Sequence, residues 1–322
     1  MSLFKNPRFT AASGSITIGF FVLAGFTFLM TQYFQFIKGY SPFGTGLRLL
    51  PVATAIAIAA VVGTRLAVRV GNNVVVGAGL ALWGGAILWI ATVNTSTPYY
   101  VIVGQMIMGG GGLGLITAPA TEAIMGAVPT EKAGVGSAVN DATRLFGAAL
   151  GVAVIGSIAA SLYHSRLAST VSASLPAPAS AAAKGSVGGA LVAAKTLGAR
   201  GLAGPAQSLV SSAVGAFEHS LNGALHVAGV IALLGAVMAA LLLPARPRTA
   251  EDAAPSEVEM WLSGARRLRS IPSPAAPVIG AAGGSVSVLQ LDGDWAHVRG
   301  GDVDGWVSRH FLHDLPPATV DA

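Results

Sequence analysis

Cysteine is absent from the 322 residues, which excludes disulfide staples, thiol nucleophiles and cysteine-ligated metals and leaves the redox compartment open. Charge is scarce as well: Asp, Glu, Lys and Arg make up 10% of the chain, against roughly 25% in ordinary soluble domains. The few histidines are scattered, and only the neighbours Glu218 and His219 offer two ligand types together, so no metal and no cofactor are expected. The glycines at 109–114 follow no strand and no Lys-Ser/Thr closes them. They are neither a phosphate loop nor a dinucleotide fingerprint, and no enzyme is expected. The net charge of +5 comes mostly from Lys and Arg at the ends of apolar runs rather than from a basic patch, which removes nucleic acid as a partner.

What is abundant is apolar surface and glycine. The chain is 53% hydrophobic with 42 glycines, and its mean hydropathy is +0.67. Glycine costs backbone entropy inside a helix, but in lipid it lets helix backbones approach closely. About 20 apolar residues cross a bilayer, and six segments suffice: 9–37, 46–68, 74–93, 99–125, 133–162 and 221–243. The fold class is therefore an all-α polytopic membrane protein of six transmembrane helices, with the lipid bilayer as its first partner. The first segment carries no internal charge between Arg8 and Lys38 and is too long for a signal peptide, so it is taken as a retained span.

Lys5, Arg8, Arg65, Arg69, Lys132, Arg246 and Arg248 all fall on one side of an alternating topology, which the positive-inside rule makes cytoplasmic. The expectation is a multi-pass protein of the cell membrane with both termini cytoplasmic; Lys38, in an outer connector, dissents. The Ala/Ser/Gly-rich stretch 163–220 is too diluted to span and is expected as a long, partly helical external loop, with short interfacial helices near 190–197 and 207–217.

Several residues stand out inside the spans. Thr31, Gln32 and Gln35 gather toward the outer end of the first, with Thr31 and Gln35 one turn apart. They either line a substrate path or hydrogen-bond to neighbouring helices as packing. Gly110 and Gly114, and Gly147 and Gly151, have the spacing of close helix packing, and Pro119 removes a backbone hydrogen bond and bends its helix. Glu122, Asp141 and Arg144 are ionisable groups at or near bilayer depth. Asp141 and Arg144 can pair at i, i+3, so the three form either a gating or proton-titrating cluster or a static interfacial one.

Leu3-Phe4-Lys5-Asn6-Pro7-Arg8-Phe9, Thr31-Gln32-Tyr33-Phe34-Gln35, Gly39-Tyr40-Ser41-Pro42 and Gly46-Leu47-Arg48-Leu49-Leu50-Pro51 occur in order. Ala118-Pro119-Ala120-Thr121-Glu122-Ala123-Ile124-Met125 and Ala133-Gly134-Val135-Gly136-Ser137-Ala138 continue the series. Together they resemble the fourteen-span drug/proton antiporter branch of the major facilitator superfamily, over about residues 3–245 and covering only its last six spans. The resemblance implies half of a major facilitator fold and proton-coupled export of hydrophobic or cationic small molecules. It also implies a complementary six- or eight-helix half, or a second copy, as the other wall of the path. Leu66-Ala67-Val68-Arg69-Val70-Gly71 resembles the superfamily's cytoplasmic signature loop, making Arg65, Arg69 and Gly71 gating-loop candidates, with Val68 where an aspartate often sits.

The tail reads as a second module. Residues 1–245 form the membrane domain, 246–265 a Pro/Ala-rich linker and 316–322 a short tail; between them, 266–315 has short alternating runs broken by Asp292-Gly293 and Gly300-Gly301. Leu268-Arg269-Ser270, Pro277-Val278-Ile279-Gly280, Gly293-Asp294-Trp295 and Gly305-Trp306-Val307 resemble a bacterial SH3-like domain, a small all-β barrel. Trp295 and Trp306 are either groove residues of such a module or core aromatics. The alternative function is thus a non-transporting membrane anchor or regulatory subunit that presents a peptide- or cell-wall-binding domain.

Overall fold

The computed structural model describes residues 7–126, 128, 133–170, 176–243, 258–301 and 303–314. Lys5, Lys132, Arg246 and Arg248, residues 246–257 of the expected linker and the 316–322 tail lie outside the described residues. The chain divides into two compact units, Met1–Pro247 and Arg248–Ala322.

The first unit is all helix: α1 (Pro7–Gln32), α2 (Pro42–Val70), α3 (Asn72–Ile90), α4 (Tyr99–Met125), α5 (Ala133–Thr170), α6 (Ala177–Gly185), α7 (Val187–Ala199) and α8 (Ala203–Leu242). Six of these, all but α6 and α7, are long and apolar enough to cross a membrane. The chain punctuates them by known devices. Tyr33–Ile37 loosens α1 into a π turn, and Gly39, at φ +70°, carries the chain out of it. Ser41 then caps α2 by accepting from the Gly44 amide at 3.1 Å, with Pro42 in the first turn.

Residues 163–220 differ from the expected loop. Helix α5 continues to Thr170 and α8 begins at Ala203, so 207–217 belongs to one uninterrupted 40-residue helix; only 190–197 falls in a separate short helix, α7. Alanine explains the difference. It is too weakly apolar to mark a span, yet it is the strongest helix former, so the segment stays helical after its hydropathy falls. Tyr163 of α5 donates to the Ala183 carbonyl at 3.0 Å, tying α6 to the extended helix.

Helix α1 is central and packs on α4, α5 and α8; α2 lies on α4, and α3 sits between α4 and α8. Lipid tails give no hydrophobic drive for such contacts, so close packing must supply it. The glycines do so. A Cβ at Gly114 would lie 2.5 Å from the Ile56 carbonyl oxygen, and one at Gly110 would strike the Val52 carbonyl, so α2 meets α4 backbone to backbone. Gly147 and Gly151 bring α5 against the Thr17 and Phe21 carbonyls of α1 in the same way. Trp83 of α3 is fully buried over Gly109, meets Phe26 edge-on at 5.8 Å and donates its indole N–H to the Gly19 carbonyl at 3.3 Å.

The second unit is a five-stranded antiparallel sheet: β1 (Val258–Arg269), β2 (Val278–Asp292), β3 (Trp295–Gly300), β4 (Val303–Ser308) and β5 (Leu312–Asp314). Strand β1 begins inside the stretch expected as linker. Its pairings run to β2 along most of its length, to β5 at Met260, Trp261 and Leu262, and to β4 through Arg269 and Trp306. The core is small and aliphatic, built from Leu262, Leu268, Val286, Val288, Ala296, Val298 and Val307.

The glycine contacts yield a paired expectation. Gly110→Leu lowers the stability of the detergent-purified protein by about 1–3 kcal/mol or prevents folding. The adjacent Gly111→Ala, where no atom lies within 4 Å of the added methyl group, leaves the thermal midpoint unchanged or slightly raised. Equal losses from both changes would remove the close-approach account.

Candidate functional site

An open groove of about 530 Å³ runs between α1 and α5. Its walls are Phe20, Thr27, Phe28, Thr31 and Gln32 from α1, with Ala148 and Val152 from α5. The backbone contacts at Gly147 and Gly151 place these two helices side by side and so set the groove's width. Its lining is overwhelmingly apolar. Thr31 donates back to the Thr27 carbonyl at 2.7 Å, a local bond that satisfies its hydroxyl. The Gln32 side chain is half-buried and has no hydrogen-bond partner among the described residues, so its amide is available at the end of the groove next to the π turn.

Of the three polar residues expected together, Thr31 and Gln32 line the groove and Gln35 does not. A regular α-helix would put Gln35 on the face of Thr31, but the π turn begins at Tyr33 and shifts the residues after it. Nothing in the sequence pattern marks that turn.

At the other end of the groove, Arg144 does not pair with Asp141. Its Nη2 donates to the Thr121 hydroxyl of α4 at 2.9 Å, and its guanidinium lies 5.3 Å from the centre of the Phe20 ring. Its Nε is buried without a partner. Asp141 and Glu122 are both exposed, and neither forms an ion pair among the described residues. The i, i+3 spacing permits a pair but does not require one. Here the long Arg144 side chain reaches across to the neighbouring helix, where a hydroxyl and a ring face receive it. Nearby, Asn140 is buried with its Oδ1 unpartnered, and Asn72 of α3 donates to the carbonyl of Pro119 at 3.4 Å, beside the break that proline makes in α4.

The end of the bundle that holds the π turn is tied more fully among the described residues. Lys38, the charge that dissented from the positive-inside pattern, donates to the Thr95 and Thr97 carbonyls at 2.7 and 3.1 Å and so holds the α3–α4 connector. Tyr33 donates to the Asn94 carbonyl at 2.8 Å, and the Thr95 amide donates to Glu218 of α8. Arg48 stacks on Tyr40 at 3.7 Å from the ring centre. These ties join residues far apart in the chain and leave no periodic signal in it.

The remaining candidates are placed as follows. Arg65 and Arg69 are exposed one turn apart on α2, beside Val62 and Leu66 in a shallow depression, and Gly71 turns the chain into α3 at φ +95°. In the β unit, Trp295 and Trp306 are half-buried and stand outside the aliphatic core; Trp306 stacks on His297 at 5.0 Å. Among the described residues no three His, Asp or Glu side chains converge on a metal-sized site.

With this geometry in place, comparison with known proteins is informative. The sequence profile of the Major Facilitator Superfamily matches residues 1–152. The multidrug resistance protein Stp of Mycobacterium tuberculosis is 33% identical over 55% of this chain and 33% of its own length. The multidrug efflux pump LfrA of Mycolicibacterium smegmatis is 28% identical over 74% of this chain and 46% of its own. The methyl viologen resistance protein SmvA of Salmonella typhimurium is 32% identical over 67% of this chain and 42% of its own. The chain thus spans a third to a half of these relatives, which are transport and resistance proteins rather than enzymes. The membrane unit is that of a multi-pass protein with homologues among multidrug transporters of the superfamily.

The contacts of Arg144 predict a pattern of coupling. In double-mutant cycles, Arg144→Met and Thr121→Val couple by about 1 kcal/mol or more, the scale of a hydrogen bond to a charged group. Arg144→Met and Asp141→Asn couple less. Thermal unfolding of the four proteins in each cycle supplies the numbers, and the reverse order would restore the ion pair.

Proposed function

We propose that the membrane unit is one wall of a proton-coupled secondary transporter that exports hydrophobic or cationic compounds by alternating access. The opposing wall is a complementary six- or eight-helix half or a second copy. The observation that carries this reading is the groove between α1 and α5. It is apolar with a few hydroxyl and amide groups, which suits drug-like compounds, and it opens beside Gln32 at one end and Arg144 at the other. Such groups are costly to present to lipid tails, so this face meets protein or water rather than hydrocarbon. Transporters of this type hold their substrate between two repeats near the bilayer midplane, which accounts for a binding face open on one side. The names of the relatives, among them resistance to methyl viologen and multidrug efflux, support the substrate class.

Glu122 and Asp141 are the proposed proton-coupling acids, because both are exposed and neither is held by a cation among the described residues. Arg65, Arg69 and Gly71 are the proposed gating elements at the cytoplasmic end of α2, and both termini are cytoplasmic in this reading. The β unit is proposed to be SH3-like. A second reading, a membrane anchor that presents this unit to a peptide or to cell-wall material, is favoured by the Trp306–His297 stack standing outside the core.

In everted vesicles bearing the chain together with its complementary helices, an imposed proton gradient drives accumulation of a lipophilic cationic dye. Glu122→Gln abolishes that accumulation while substrate exchange without a gradient persists. Unchanged gradient-driven transport by this variant would remove Glu122 from the coupling step. Failure of any dye to move with the complete helix set would favour the anchor. Reporter fusions at Ala322 giving an external signal would reverse the orientation.

A further inference from the structure

A second cavity, of about 210 Å³, lies beside the groove, and Phe28 and Gln32 belong to the walls of both. It is enclosed by α1 and α5, by Phe217 and Ser220 of α8, and by Ser186 and Val187 at the turn between α6 and α7. The partition between the two spaces is thin. Phe28 is 40% exposed, and a Cβ at Gly156 would stand 3.2 Å from its ring, so the absence of a side chain at Gly156 leaves the ring its place. The α6–α7 turn is seated similarly, with Gly188 against the Phe36 ring.

The two spaces differ in chemistry. The groove offers ring faces and methyl groups, whereas the recess offers oxygen. Tyr163 donates its hydroxyl to the Ala183 carbonyl and Ser220 donates to the Phe217 carbonyl, so each oxygen keeps a lone pair for accepting. Gln32, at the junction, keeps both a donor and an acceptor. Among the described residues, neither lining contains a carboxylate. A charged ammonium entering the recess would meet no counter-ion, while a neutral hydroxyl would find acceptors.

We propose that the recess is a subsite for the tail of an exported molecule. The apolar or charge-delocalised body lies in the groove against Phe20 and Phe28, and a flexible chain ending in a neutral hydroxyl passes Gln32 into the recess. The space holds about seven non-hydrogen atoms at roughly 30 Å³ each, which sets the tail length. This inference rests on the groove being the substrate path.

The test uses two probes with one body: methyltriphenylphosphonium and 6-hydroxyhexyltriphenylphosphonium. Equilibrium binding is measured to the native protein in nanodiscs, with uptake by empty nanodiscs subtracted. The hydroxyhexyl probe binds at least about tenfold more tightly than the methyl probe, the factor that about two buried methylenes supply by themselves. Gly156→Leu, which fills the mouth of the recess, removes this preference. Ala160→Leu, on an exposed position of the recess wall, also removes the preference, leaves the methyl probe within about twofold, and carries the test alone if Gly156→Leu fails to fold. A preference that survives both changes in monodisperse protein overturns the subsite, as does a native protein that binds the methyl probe but gains nothing from the tail. If the native protein binds neither probe, the groove itself is not the substrate path and the subsite falls with it.

Discussion

Backbone-to-backbone contact through glycine is the constraint on which the membrane unit depends. Inside a bilayer, leucine gains nothing by leaving lipid for another helix, so association rests on how closely the helices can approach. Gly110 and Gly114 admit α2 to α4, Gly147 and Gly151 admit α5 to α1, and Gly109 makes room for the Trp83 ring between α3 and α4. The groove follows from this. Were α5 held off by even a methyl group at Gly151, the wall formed by Ala148 and Val152 would move away from Thr27 and Gln32. The packing glycines are therefore also the residues that give the groove its dimensions.

Polar groups are distributed unevenly along the bundle. At the end that holds the π turn, Tyr33, Lys38, Asn94, Thr95 and Glu218 form a set of ties that joins α1, the α3–α4 connector and α8. At the opposite end, Asp141 and Glu122 are exposed, Arg144 rests on one hydroxyl and a ring face, and Pro119 has removed a rung of the α4 ladder. Fewer fixed contacts mean a lower local cost of rearrangement. Among the described residues, the end that carries Arg144 and Pro119 is thus the one whose helices share fewer polar ties on this face.

Hydropathy by itself determined the six spans and their approximate limits, and composition alone excluded a soluble core. Transfer into lipid is a property of each residue, summed along the chain, and needs no knowledge of neighbours. The glycine pairs were legible for the same kind of reason: i, i+4 spacing puts both on one helix face whatever lies opposite. The tail was legible as strands and turns, although the start of β1 at Val258 was hidden by a run that resembles a linker.

What only the tertiary structure decided is which groups meet. Whether Arg144 turns to Asp141 or to Thr121 depends on the rotation of α4 against α5, which no local pattern encodes. Gln35 left the face of Thr31 because of a π turn, and Trp306 stacked on His297 outside the core through pairing between β3 and β4. The extent of helix in 163–220 exceeds the partly helical loop that hydropathy implies, because hydropathy measures lipid transfer, whereas alanine's helix preference is a backbone property that persists where apolar character fades. Span and composition are sums over single residues. Partners, groove and recess depend on distances between residues remote in sequence, and those exist only once the helices have packed.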